Sequence, residues 1–207
     1  MSGDGGRFNE PASPEVLQRV AASLRERNMG ATVVSDGSQA RDAVLQRLPA
    51  GAEVHAGKSK SLQDIGVTPV LAEGGTYTYL RNVYLKMDRT TQMREIRKLI
   101  SAPDFMLGSV SAVTQDGVLV VASATASQLG PYAAGGGKVI LVVGSQKIVP
   151  NLDAALQRIR EYVLPWEDAQ VRPMVPTGSF VGKILMIERE WIAGRIEVIL
   201  VGQPVGV

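Results

Sequence analysis

Short, uninterrupted runs of apolar and largely β-branched residues constrain this chain more than any other feature. Ala31–Ser35 (ATVVS), Val118–Ala124 (VLVVASA), Lys138–Gly144 (KVILVVG) and Arg195–Gly202 (RIEVILVG) are continuous rather than alternating. That is the pattern of strands buried on both faces, as in a parallel sheet covered by helices. Glu53–Gly57 (EVHAG) reads as a shorter strand of the same kind.

Helical spacing fills most of the intervals. Ser13-Pro14-Glu15 reads as an N-cap, a proline in the first turn and an acid beside it, with Leu17, Val20, Ala21 and Leu24 following and Gly30 as the stop. Asp36-Gly37-Ser38 opens a second helix bearing Ala40, Ala43, Val44 and Leu48, ended by Pro49. Met93, Ile96, Leu99 and Ile100 predict a buried stripe over residues 91–101. Pro150-Asn151 opens a helix with Leu152, Ala155, Leu156, Ile159 and Val163 inward, closed by Pro165. Phe180, Ile184, Ile187 and Trp191 suit a further helix, whereas residues 66–89 keep no sustained period. Strands alternating with helices imply the α/β class: a three-layer α/β/α domain around a mostly parallel sheet.

With 207 residues the chain is read as one domain over residues 13–207, preceded by a polar, glycine-rich and disordered tail over residues 1–12. Basic and acidic residues are interspersed, the net charge is only +2 and aromatic residues make up 5%. Neither a basic track nor a stacking platform for nucleic acid is present. There is no cysteine and a single histidine, His55. Own-thiolate iron–sulfur clusters, cysteine nucleophiles and structural zinc therefore drop out. No cofactor is expected to be held by the chain's own residues, which leaves room for a soluble one. The start, MSGDGGRFNEPASP, carries no apolar signal core, and the apolar runs are too short for a bilayer. The expectation is a soluble cytoplasmic protein without a membrane partner, with a homodimer as the commonest assembly.

Gly57-Lys58-Ser59 invites comparison with the phosphate loop G-x-x-x-x-G-K-[ST], which fails because Ala52 stands at the first glycine. Between a strand and the helical LQDIG, the segment can still hold an anion on backbone N–H groups beside Lys58 and Lys60, or Ser59 or Ser61 can simply cap the helix. His55, at the end of the same strand, is either a packed bystander or an acid/base group at the strand end where open sheets bind ligands. Lys147 follows KVILVVG and reads as a point charge for a carboxylate or phosphate, or as an exposed loop lysine. Asp116-Gly117 suits a tight hairpin, with Ser123 and Thr125 as hydroxyls on the strand beyond it. Glu73, in Glu73-Gly74-Gly75-Thr76, is a nucleophilic carboxylate or part of a surface turn. G-x-S-x-G and a strand-following G-x-G-x-x-G are both missing.

The run GSVSAVTQDGVLVVASATASQLGPYAAGGGKVILVVGSQKIVPNLDAALQRIREYVLP, with the closing GRIEVILVGQPVG, resembles the lactate-utilisation (LUD) domain family. Its most specific pieces are Gly144–Val149 and the helix Asp153–Arg160. The resemblance implies a three-layer α/β fold like that of ribose-phosphate isomerases and CoA transferases, and a place in bacterial lactate oxidation beside iron–sulfur partner proteins. It also implies that Gln115-Asp116-Gly117-Val118 falls where some members carry a distinctive acidic E-T-G-T motif. The expected site gathers Gly57, Lys58, Ser59, Asp116, Gly117, Ser123, Thr125 and Lys147 around a small anionic metabolite, with Asp116 and Lys147 as the reactive pair. The leading expectation is an accessory or small-molecule-binding component of lactate and organic-acid metabolism. An isomerase or acyl/CoA transferase acting on a phosphorylated sugar or CoA ester stands as the alternative, and a non-catalytic assembly subunit as the third.

Overall fold

The computed structural model describes residues 7–207. Its order is α1 (Pro14–Glu26), β1 (Gly30–Val34), α2 (Gly37–Leu45), β2 (Glu53–Ala56), α3 (Lys60–Asp64), α4 (Val67–Glu73), β3 (Thr78–Tyr79), α5 (Leu80–Tyr84) and α6 (Met93–Ser101). Then come β4 (Phe105–Gly108), β5 (Ala112–Thr114), β6 (Leu119–Ser123), β7 (Lys138–Gly144), β8 (Ile148–Val149), α7 (Leu152–Arg158), α8 (Leu164–Val171), β9 (Lys183–Ile187) and β10 (Ile196–Val201). A six-stranded sheet runs β1-β10-β7-β4-β2-β3 with every pairing parallel. Beside it lies a four-stranded sheet, β8-β5-β6-β9, in which β6 pairs antiparallel to both neighbours.

The continuous apolar runs are buried on both sides, and their residues divide by parity. From β7, Val139, Leu141 and Val143 face a core shared with Leu17, Val20, Ala21 and Leu24 of α1 and with the second sheet. Ile140 and Val142 face the opposite core, made with α2, α3 and α4. Ile196, Val198 and Leu200 against Ile199 and Val201 repeat the division in β10. The result is a three-layer α/β/α domain with a small second sheet on the α1 side.

Ser13 caps α1 by accepting from the Val16 N–H, and Asp36 caps α2 by accepting from Ser38 and Gln39. Asn28, at φ 61, ends the first helix instead of Gly30, which is already the first residue of β1. In α6 only Ile96 is buried and Met93 is 38% exposed, because the helix packs on α5 and the Pro131–Gly135 turn. Pro165 does not close the helix that begins at Asn151. A π-helical turn, Ile159–Val163, widens the helix, and Pro165 falls in the first turn of α8, where its missing N–H costs nothing. The helix expected over Phe180–Trp191 is instead strand β9. Lys183–Ile187 completes the second sheet against β6, and that pairing overrides the helical spacing. Residues 1–6, half of the expected tail, lie outside the described residues; in the other half, Phe8 is buried beside Tyr162.

Asp116-Gly117 is the hairpin turn between β5 and β6. Gly117 sits at φ +90, and a Cβ there would meet the backbone of Ser23 and Leu24 at 3.0 Å, so the turn is pressed onto α1. Gly117→Val should lower stability by about 1–3 kcal/mol through backbone strain and overlap. A reduced urea midpoint would show this, whereas an unchanged midpoint would mean the turn does not depend on its contact with α1.

Candidate functional site

The parallel sheet creates its own crevice. From β2 the chain leaves through α3 and α4 on one face, while from β4 it leaves through the β5–β6 hairpin on the other. Loops that part in this way open a gap at the carboxyl ends of the two strands, where open α/β sheets receive ligands. A cavity of about 520 Å³ occupies that gap. Gly57–Ser61 follow β2, Ser109–Ser111 follow β4 and Lys147 follows β7, forming its polar floor; Ser123 and Thr125 close one side. Trp166 of α8 and Phe180 form an apolar wall opposite.

Lys147 is the centre of the floor. Its side chain is buried, 3% exposed, and Nζ donates to Ser61 Oγ (3.0 Å), Ser109 Oγ (3.0 Å) and the Val110 carbonyl (3.3 Å). None of these partners is an anion. Ser109 is fixed in turn by donating to the Val142 carbonyl at 2.6 Å. Gly206, at φ +74, brings the backbone over the amine, and a Cβ there would overlap Ser61 Oγ. Burial first and the Arg158 guanidinium second, against an opposing pull from Asp64, bring the Lys147 pKa from 10.5 down to about 7.

Arg158 is a second buried cation, 0% exposed, at the end of α7. It donates to the carbonyls of Ser111 (2.5 Å) and Phe8 (3.5 Å), lies 5.2 Å from the Tyr162 ring centre, and leaves Nε without a partner. Burial holds its pKa at about 10. Around the cavity, among the described residues, Lys58, Lys60 and Lys147 face a single carboxylate side chain, Glu167. Glu167 meets Lys58 at the mouth at 3.9 Å, and Lys60 pairs with Asp64. The field inside therefore favours a negative ligand.

The structure brings together six of the expected site residues, Gly57, Lys58, Ser59, Ser123, Thr125 and Lys147. Ser59 does two things: it caps the five-residue α3 through the Leu62 N–H and lines the cavity. Asp116 and Gly117 do not belong to this cavity. They occupy the far end of the hairpin whose near end, Ser111 and Ser123, touches it; three strand residues, roughly 10 Å of extended chain, lie between. Asp116 accepts from Thr114 (2.5 Å) and pairs with Arg27 at 2.7 Å, and Arg27 also holds Glu188. These contacts keep its carboxyl below the usual range, the Thr114 hydroxyl being the largest cause. It faces a broad depression of about 870 Å³ between α1 and the start of α7, with no buried lysine. His55 is buried, edge-on to Tyr84, and held neutral with a pKa of about 4, first by burial and then by Arg81. Neither His55 nor Glu73 lines the cavity.

Ser61, expected only as a helix cap, and Ser109 line the cavity as well, while the buried Arg158 lies outside its lining. The signal for Ser109 was its place directly after a buried strand, in Leu107-Gly108-Ser109.

The family model of the LUD domain matches residues 17–201. The chain belongs to the LUD domain family. No curated protein matches it in sequence. The fold is similar to the crystal structure of a DUF162 family protein from Deinococcus radiodurans, with a TM-score of 0.50, 15% identity and coverage of 92% of this chain and 99% of that one. Family membership makes this LUD-domain chain a lactate-utilisation-type protein, and no helix among its described residues is long and apolar enough to cross a membrane.

A base whose pKa falls on folding costs stability while it is charged only in the unfolded chain's favour, so stability rises as pH climbs from the folded value, about 7, toward the unfolded one near 10.4. Relative to Lys147→Met, the wild-type protein should therefore gain up to about 1.4 kcal/mol per pH unit across that window. Urea titrations of both proteins at pH 7, 8 and 9 measure the difference, and a constant difference would contradict the depressed pKa.

Proposed function

We propose that this LUD-domain protein binds a small organic anion, a short carboxylate such as lactate or pyruvate, in the cavity floored by Lys147. The observation that carries this reading is a buried lysine amine whose partners are two serine hydroxyls and one carbonyl, with no carboxylate among them. An anion at this point supplies the missing countercharge, raises the amine's pKa and draws on Lys58 and Lys60 at the mouth. Ser123 and Thr125 supply hydroxyls that orient it. The chain's composition supports a division of labour in which electrons from such an acid pass to a separate iron–sulfur protein, since it has no cysteine to hold a cluster.

The volume and the apolar wall at Trp166 and Phe180 favour a second reading, isomerisation or acyl transfer on a larger anion such as a phosphorylated sugar or CoA ester. With Glu73 outside the cavity walls, a covalent version of that reading uses another group.

Melting temperatures with lactate, pyruvate and inorganic phosphate test the proposal. A ligand at about one hundred times its dissociation constant adds roughly 2.7 kcal/mol of stability. The shift should vanish in Lys147→Met and persist in Asp116→Ala, which loses an exposed ion pair with Arg27 and the Thr114 hydrogen bond, both away from the cavity. Persistence in Lys147→Met with loss in Asp116→Ala would place the site at the hairpin turn instead.

A further inference from the structure

Lys147 differs from an ordinary anion-binding lysine in its surroundings. Such a lysine stands at a wet surface and stays charged. Here the amine is enclosed, faces a cavity large enough for a substrate, and lies under the influence of a second buried cation, Arg158. Enclosure and a neighbouring cation are the two means by which proteins keep a lysine amine unprotonated and nucleophilic. Its hydrogen-bond partners suit that state as well. Ser109, whose proton goes to the Val142 carbonyl, accepts from the amine, the Ser61 hydroxyl can accept from it or donate to it, and among the described residues no carboxylate within ion-pair distance fixes the proton on nitrogen. The other charged groups near the amine are Asp64, which accepts from the Gly206 N–H at 2.9 Å and pairs with Lys60, and the Lys58–Glu167 pair at the mouth.

We propose that Lys147 is a Schiff-base lysine, and that the ligands of this cavity include 2-oxo carboxylates whose carbonyl carbon is attacked by its Nζ. The proposal rests on the anion-binding reading above and names the chemistry at the same site. The amine lone pair forms the C–N bond while the carbonyl π pair moves onto oxygen. One nitrogen proton passes to that oxygen, through Ser61, to give a carbinolamine. A proton from solvent then removes the hydroxyl as water, leaving a protonated C=N bond; no electrons are gained or lost. The new cation faces the substrate's own carboxylate, which Lys58 and Lys60 help to hold.

Borohydride trapping tests this on the wild-type chain. The protein is incubated with pyruvate, or with glyoxylate, and sodium cyanoborohydride, then digested and mapped by mass spectrometry. The reduced adduct should appear on the peptide carrying Lys147, and its rate of formation should rise as pH passes through about 7, well below the range in which surface lysines react. Lys147→Arg keeps a cation there and should lose the adduct. An unlabelled Lys147, or label confined to surface lysines such as Lys58 and Lys98, overturns the Schiff-base assignment. Lactate has no carbonyl to trap, so its effect on melting temperature reports on anion binding alone and separates the two ideas.

Discussion

An amine shut away from water with only hydroxyl and carbonyl oxygens around it is the constraint on which this site depends. Moving an ammonium group out of water costs several kcal/mol unless an anion accompanies it. The chain meets that cost in a specific way. Two parallel strands release their loops to opposite faces, the gap between them receives the Lys147 side chain from the next strand, and three oxygen acceptors hold its tip. Arg158 adds a second positive charge behind the floor and is likewise met only by carbonyls and a tyrosine ring. The fold thus encloses two basic side chains and leaves the acidic half of the pair to come from a ligand.

The same arrangement explains why a protein of this size puts a cavity at one end of its sheet. Helices α2, α3 and α4 fill one face and α1 with the second sheet fills the other, and the cavity opens at the carboxyl ends of the strands. The π-helical turn between α7 and α8 sets Trp166 and Glu167 over that opening. Ala126, held at φ 65 beside the Ser123 hydroxyl, marks a strained corner on the cavity rim.

Much of the frame was legible in the sequence because it follows from local rules. Continuous apolar runs such as KVILVVG, short, β-branched and flanked by glycine, suit strands covered on both faces, and Ser13, Asp36 and Asn151 all cap the helices they precede. Long-range pairing decided what the local pattern could not. The spacing of Ile184 and Ile187 suits a helix until β6 offers a partner, and Pro165 reads as a stop until a π turn absorbs it. Lys147 and the Gly57–Ser59 segment were found because each directly follows a buried strand. Asp116 was misplaced for the opposite reason: sequence shows that it lies between two strands, but not which end of the hairpin meets the crevice. Its role is to tie the turn to α1 through Arg27. Arg158 was hidden in a helix as one of several charged residues, and only the packing of α7 against Ser111 reveals that it is buried.

The most direct measurement is the titration of the Lys147 side chain by NMR, in protein carrying isotope-labelled lysine, with and without pyruvate or lactate. The free protein should show one lysine titrating near pH 7, absent in Lys147→Arg, and a bound carboxylate should move that transition well upward. A Lys147 that titrates near the ordinary lysine value of about 10.4, unmoved by either acid, would contradict the view that this fold buries a base for a ligand to complete.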